Sequence, residues 1–344
     1  MKRLFPVALF IMIVMAAFAA IFRYALWNQE QKRQRLAHVE EVVILTDLDS
    51  GMIELLSDPF YAESGYKIRV HHVPKHSLIE ASLTDSGADV ILTSQDVMRH
   101  LQEQAKLTSY ASAQTDTTLE QFKDSNGYWT GIWVNPFVFV VNKDFAMLHP
   151  AFDYQWTEAF QRQIVQLSMT DFIAADMAEE FLMSFVEHYG TQRAFDLLHT
   201  AQPHIVQYGK YLSTPSRMAA MGKCDIGISG LMEARRSIRE GFDAEIIYPR
   251  DGSPWYLIAA GLSSTGKHPD RGRRLIDWLL QPAKYRKALQ NNNYDPICVN
   301  DAQIPPDRDG TTLSYWYLEK IYTEEGEKEL LKQWVDQVRF GGTK

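Results

Sequence analysis

Two stretches, "VVILTDLDSGMIELLSDPFYAESG" at residues 42–65 and "ADVILTSQDVMRHLQEQA" at residues 88–105, repeat one order of events. Each opens on a short branched apolar run, passes through a loop of hydroxyl and acidic groups, and continues at helical spacing. In the first, Met52, Ile53, Leu55, Leu56 and Phe60 keep that spacing. Between them "YKIRVHHV" predicts another strand and "HSLIEASLTDSG" a short helix. Strands that alternate with helices imply an α/β protein with a parallel sheet covered on both faces. In such sheets ligands bind beyond the carboxyl ends of the strands, here Thr46-Asp47 and Thr93-Ser94-Gln95.

The pattern changes at "DSNGYWTGIWVNPFVFVVNKDF", where a turn precedes a long apolar run, Trp133 to Asn142, interrupted by Pro136. Such a run suits a strand that passes between domains. "QIVQLSMTDF" predicts a strand ending at Thr170-Asp171, and "AADMAEEFLMSFVEHYG" a helix stopped by Gly190. A second long apolar strand follows the turn "RDGSPWYLIAAGLSS", and two helices are expected in "TLSYWYLEKIYTEEGEKELLKQWVDQV".

The 344 residues suggest two domains at roughly 150 residues each. A formal charge of -8 excludes the basic footprint of a nucleic-acid binder. Any anionic ligand must be held by local donors. Cys224 and Cys298 stand far apart without C-x-x-C spacing, which argues against zinc and redox sites and leaves a disulfide open. After Lys2-Arg3 the uncharged run from Leu4 to Phe22 reads as an export segment. Ala17-Phe18-Ala19 offers a cleavage site, but the run is long enough to cross a bilayer, which favours an uncleaved anchor over a cleaved signal. Arg23, Lys32, Arg33 and Arg35 rival the N-terminal charges, so charge does not decide between the two. No cysteine lies nearby for a lipid anchor. Residues 1–39 are thus expected to be anchor and stalk, with the folded part outside the cytoplasm from Glu40.

"STPSRMAAMGKCDIGIS" at residues 213–229 places several donors at the start of one short helix. Pro215 suits the first turn, Ser213 or Thr214 the N-cap, and Gly222 the stop. Capping alone accounts for one hydroxyl. Ser213, Thr214 and Ser216 with Arg217 exceed it, and such a cluster can bind a phosphate or carboxylate. Arg217 pointing into solvent is the alternative.

This stretch resembles the serine-rich turn, helix, glycine and strand of the type II periplasmic solute-binding proteins, in the ferric-iron-binding branch. "GADVILTSQD", "DSNGYWTGIWVNPFVFVVNKD", "EGFDAEIIYPRDGSPWYLIAAGL" and "HPDRGRRLIDWLLQP" resemble that family's segments in the same order. The resemblance implies an α/β, two-lobed fold with two crossing strands, no catalysis and no cofactor. It places crossings at Trp133 to Val141 and Pro249 to Ala259, lobe one at 40–134 plus 255–299 and lobe two at 135–254. Residues 300–344 would form C-terminal helices. Ligand would sit between Thr46 and Ser94 on one lobe and Thr170, Ser213, Thr214, Ser216, Arg217 and Ser229 on the other. Ferric-binding members carry adjacent tyrosines after the glycine-strand motif, where this sequence has "GISGLMEARRS". Hard ferric iron prefers oxygen ligands, so their absence favours a small anionic solute, a phosphorylated, phosphonate or carboxylate compound or chelated iron, over direct iron coordination.

The implied partners are ABC permease subunits, for a monomeric importer component in the periplasm, anchored through its N-terminal helix to the inner membrane. The alternative is a membrane-tethered sensor that feeds a two-component kinase. A hydrolase would need a paired nucleophile and base, and no G-x-S-x-G elbow or Walker loop occurs. His71 and His72 of "HHVPKH" are expected on opposite faces of a strand, which disfavours a shared metal. Trp129, Trp133 and Trp255 suit either ligand stacking or interlobe packing.

Overall fold

The computed structural model describes residues 40–83, 87–300, 304–319 and 322–341, together with Arg23, Tyr24 and Trp27. The run from Leu4 to Phe22 and most of the stalk lie outside the described residues. Among the described residues no helix is long and apolar enough to cross a membrane.

Among the described residues eleven strands form the sheet: β1 (Glu41–Thr46), β2 (Lys67–His72), β3 (Val90–Ser94), β4 (Leu107–Thr108), β5 (Thr130–Val141), β6 (Leu167–Thr170), β7 (Ile205–Gly209), β8 (Ile226–Gly230), β9 (Glu245–Ile247), β10 (Trp255–Ser263) and β11 (Ile297–Cys298). The order is β2-β1-β3-β10-β5-β8-β6-β7. β1, β2 and β3 are mutually parallel, as are β6, β7 and β8. The antiparallel pair β10 and β5 joins these halves.

β5 is buried along its whole length and changes partner at Pro136. Residues up to Pro136 pair with β10, and from Phe137 onward with β8. A proline lacks an N–H, so it fits where one ladder stops and the next begins. The Phe137 N–H turns back to the Pro254 carbonyl at 2.9 Å. The second crossing is shorter than the sequence suggests. Extended structure starts at Trp255, because residues before it turn at Gly252, whose φ is +89°.

One hydrophobic cluster packs Val42, Ile44, Phe60, Trp133 and Trp278 on the β1–β3 half. A larger one runs from Val97 across β5 to the helix Asp176–Tyr189 and on to Trp316 and Trp334. Trp129, Trp133 and Trp255 are all buried in these cores. Cys224 and Cys298 are buried and unbonded to each other.

The C-terminal region corrects the expectation of two helices. Around Tyr315 the chain is extended and bridges Ser253. Trp316 and Leu318 are buried while Tyr317 is exposed, the period of two that an extended chain imposes. Trp316 stacks on His188 with ring centroids 3.9 Å apart and donates to the Asp251 carbonyl at 2.8 Å. A single helix, Glu324–Gln333, then runs into a wider turn, Trp334–Arg339. Arg339 and the Trp334 indole both reach Asp171 beyond β6, at 2.8 and 3.4 Å.

Candidate functional site

The carboxyl ends of the two parallel halves face a cleft of about 720 Å³ beside the crossing strands. One wall carries Met52, Asn293, Tyr294 and Asp295. The other is built from the loop after β7 and the helix Leu231–Arg239. Asn135 of β5 fixes that helix: its Nδ2 donates to Glu233 at 2.9 Å and its Oδ1 accepts the Met232 N–H at 3.1 Å. Burial pushes the Glu233 carboxyl above its ordinary range, with Asn135 opposing the shift. Gly230 leaves room here, since a Cβ would lie 2.3 Å from the Glu233 carboxyl and force that side chain to move.

Arginines crowd the cleft. Arg217 and Arg236 share Glu240, each at 3.1 Å. Their hydrogen bonds hold its carboxyl below the usual range, Arg217 contributing most. Arg235 and Arg239 share Asp295 at 3.6 and 3.1 Å, crossing from one wall to the other. Lys210 lines the same space with no ion-pair partner among the described residues. Lys210, Arg217 and Arg236 of the lining thus stand beside Glu233, Glu240 and Asp295, and of these cations the two arginines are the ones paired with Glu240. Away from this cleft, Lys75 makes a second link between the two halves, 2.9 Å from Asp96 and 3.5 Å from Asp176.

A model of the bacterial extracellular solute-binding proteins matches residues 85–324. The chain belongs to that family. Its two-lobed mixed α/β fold is that of the periplasmic binding proteins among the solved structures. Over 179 residues it is 27% identical to an uncharacterized protein of Haemophilus influenzae, covering 51% of this chain and 52% of that one. The match spans about half the length of this curated relative. Among solved structures it is similar to the periplasmic binding protein AfuA of Actinobacillus pleuropneumoniae, with exogenous fructose-6-phosphate bound. There the TM-score is 0.67 at 20% identity, over 88% of this chain and 99% of that one. It also resembles ferric iron-binding protein A of Mannheimia haemolytica in an open conformation. That match has a TM-score of 0.68 at 17% identity, again over 88% and 99% of the two chains. At these identities the structures show the fold alone.

Within this solute-binding fold the serine-rich turn divides by helix face. Ser213, just before the helix Thr214–Ala220, and Arg217, four residues on within it, line the cleft. Ser213 does not cap: it sits at φ −82° and ψ −10°, a helical conformation, whereas an N-cap needs extended backbone to aim its oxygen at the following amides. Ser216 faces the other way. It is fully buried with Pro215 and Ala219 against β8, where a Cβ on Gly227 would come within 2.2 Å of the Pro215 carbonyl oxygen. Thr214 packs against Gly209. The expected row of four adjacent donors is thus two residues on the cleft and two against the sheet.

Thr170 and Ser229 are buried behind the wall and bond the carbonyls of Tyr211 and Leu212 at 3.4 and 3.2 Å. They hold the loop that carries Lys210 and Ser213. Thr46 is buried, its hydroxyl accepting the Leu48 N–H at 3.1 Å, and Ser94 is buried at the start of the helix Gln95–Glu103. Neither lines the cleft. Lys210, Arg236, Tyr294 and Asp295 line it without having been singled out. Only the spacing of Arg235, Arg236 and Arg239 in one helix could have signalled them. After β8 the cleft receives Met232 and Glu233 where ferric-binding relatives are expected to have phenolates. Tyr211 and Tyr294 do line it, on opposite walls, and Tyr294 donates to Asp49 at 2.7 Å.

Proposed function

We propose that this chain is the extracytoplasmic solute-binding component of an ABC importer, holding a small anionic solute, phosphorylated, phosphonate or carboxylate, between its lobes. The observation that carries the reading is the pair of shared carboxylates: Glu240 and Asp295 each serve two arginines while Lys210 lines the same cleft. A ligand oxyanion would complete bidentate contacts that those side-chain carboxylates satisfy only in part. The sugar phosphate in AfuA supports the same ligand class. Lobe one would comprise 40–134 with 255–299 and lobe two 135–254. Closure would follow by population shift, since only the closed form brings donors of both lobes onto one ligand.

No step of this function is catalytic. Residues 1–39 would export the chain and tether it to the cytoplasmic membrane, leaving both lobes in the periplasm. The reading is tested by thermal melting of the full chain in detergent with sugar phosphates, phosphoglycerates, phosphonates and ferric citrate. A tight ligand raises the melting temperature by mass action. An anionic organic solute should give the largest rise; a rise with ferric citrate alone would overturn the anion reading.

A further inference from the structure

A second pocket, of about 810 Å³, lies beside the Lys75 bridge and shares no lining residue with the cleft. One wall is the helix Gln95–Glu103. The other is formed by the helix Asp176–Tyr189 and the start of the helix Glu324–Gln333. Six carboxyl groups belong to its described lining: Asp96, Glu103, Glu180, Glu324, Glu325 and Glu327. Arg99 is the one guanidinium of that lining, and it donates to the Glu319 carbonyl.

A row of carboxyl groups can be no more than a solvated face, so their countercharges and the buried polar groups beside them decide. Asp96 is answered by Lys75 at 2.9 Å and Glu324 by Lys328. Glu103 has only His100, at 3.8 Å. Glu325 and Glu327 have no ion-pair partner among the described residues, and Lys328 acts on Glu325 only at longer range. The crowding shows at Glu327, where burial and then Asp96, Glu180 and Glu179 push the carboxyl up to about 8. Gln95 is the independent sign. It is 7% exposed and its side chain makes no hydrogen bond, although a buried amide is ordinarily paired. Unlike the sealed hydroxyl of Ser94 next to it, the amide stays open to the pocket it lines.

One kind of partner serves all three groups, a cationic donor: the amide oxygen accepts from it and the carboxylates neutralise it. A metal ion does not fit, because no three His, Cys, Asp or Glu side chains converge to hold one among the described residues. The acceptors also form two sets. Gln95 and the half-buried Glu327 lie deep, while Glu103 and Glu325 are exposed at the rim. Gln95 and Glu103 are eight residues apart on one helix, about 12 Å, with Tyr128 and Met183 adding apolar surface to the wall. We infer that this pocket binds an aliphatic oligoamine, a methylene chain with two or more ammonium groups, separately from the anion in the cleft. One ammonium would donate to the Gln95 amide oxygen and Glu327, and another to Glu103 and Glu325.

The test titrates the full chain, in an uncharged detergent, with spermidine and with butylamine by calorimetry. Spermidine should bind one to one, and butylamine, which has a single ammonium, on the order of tenfold more weakly. Glu325→Gln combined with Glu327→Gln should weaken spermidine on the order of tenfold, and Gln95→Leu several-fold. Asp58→Asn combined with Asp270→Asn removes the same charge from two exposed sites on the helices Ser57–Ser64 and Pro269–Leu279 and should leave spermidine binding as it was. The absence of saturable binding, equal binding of the two amines, or an equal loss in the two double variants would overturn the proposal.

Discussion

Lys75 lies 2.9 Å from Asp96 and 3.5 Å from Asp176, so one ammonium joins the helix after β3 to the first turn of the helix Asp176–Tyr189. Burial alone would discharge Lys75, but Asp96, Tyr256 and Asp176 more than offset it and hold its pKa above the ordinary value. Burial likewise raises Asp96, yet Lys75 and Ser94 bring it below its usual range. The pair is therefore ionised, and removing one member strands the other.

Lys75→Met should then cost about 3 kcal/mol of stability, the penalty for leaving a largely buried charge alone. Asp176 is half exposed, so Asp176→Asn should cost less than about 1 kcal/mol. What it should change is the balance of lobe positions. Chemical denaturation reads the first effect, and a larger radius of gyration by X-ray scattering the second. Equal stability for Lys75→Met and wild type would remove the ion pair from the account.

Glu240 competes with any anion for Arg217 and Arg236. Glu240→Gln keeps the shape and removes the competing charge, so a sugar phosphate should bind the variant several-fold more tightly. Titration calorimetry at low salt makes the comparison. Weaker binding would mean that Glu240 positions the arginines instead of competing for them.

Glu327 faces the helix Asp176–Tyr189 from the C-terminal helix. Burial first, then Asp96, Glu180 and Glu179, push its pKa up to about 8 from an ordinary value of 4.5. A carboxyl whose folded pKa is raised binds its proton more tightly in the folded state. Its contribution is full below the ordinary value and is lost as pH rises through about 8. Melting temperatures measured from mildly acidic to mildly basic pH should fall in wild type relative to Glu327→Gln. Parallel profiles would show that this carboxyl is solvated.

Trp316 fixes the extended C-terminal segment by its stack on His188 and through two indole bonds: its own to Asp251, and that of Trp255 to the Trp316 carbonyl at 2.9 Å. Trp316→Ala should cost about 3–5 kcal/mol, typical of a large buried aromatic. Hydrogen exchange should rise around Tyr315 as well. A loss below about 1 kcal/mol would mean that the segment is held elsewhere.

The alternation of strand and helix was legible because it rests on local apolar spacing, and both parallel halves appear where that spacing places them. Partner choice was not. Nothing in the run around Pro136 says that its pairing passes from β10 to β8, since that depends on strands far away in the chain. The extended path of Tyr315, Trp316 and Tyr317 was hidden for a related reason: aromatic residues suit helix and strand alike until a neighbour such as Ser253 offers a ladder. In the serine-rich turn the four-residue spacing of Ser213 and Arg217 contained the answer. Counting hydroxyls obscured it, because Ser216 belongs to the opposite face with Ala219. Lys75, Asp96 and Asp176 meet only after folding, and no spacing announces them.

An anionic solute held in the cleft by arginines of the second lobe must lose affinity when those arginines lose their charge. The measurement titrates the full chain and its Arg217→Gln, Arg236→Gln double variant with the phosphorylated solute that raises the melting temperature most. Wild type should bind with one-to-one stoichiometry, and the double variant on the order of a hundredfold more weakly, as the loss of two charge-assisted contacts implies. Undiminished binding in the double variant would contradict the account.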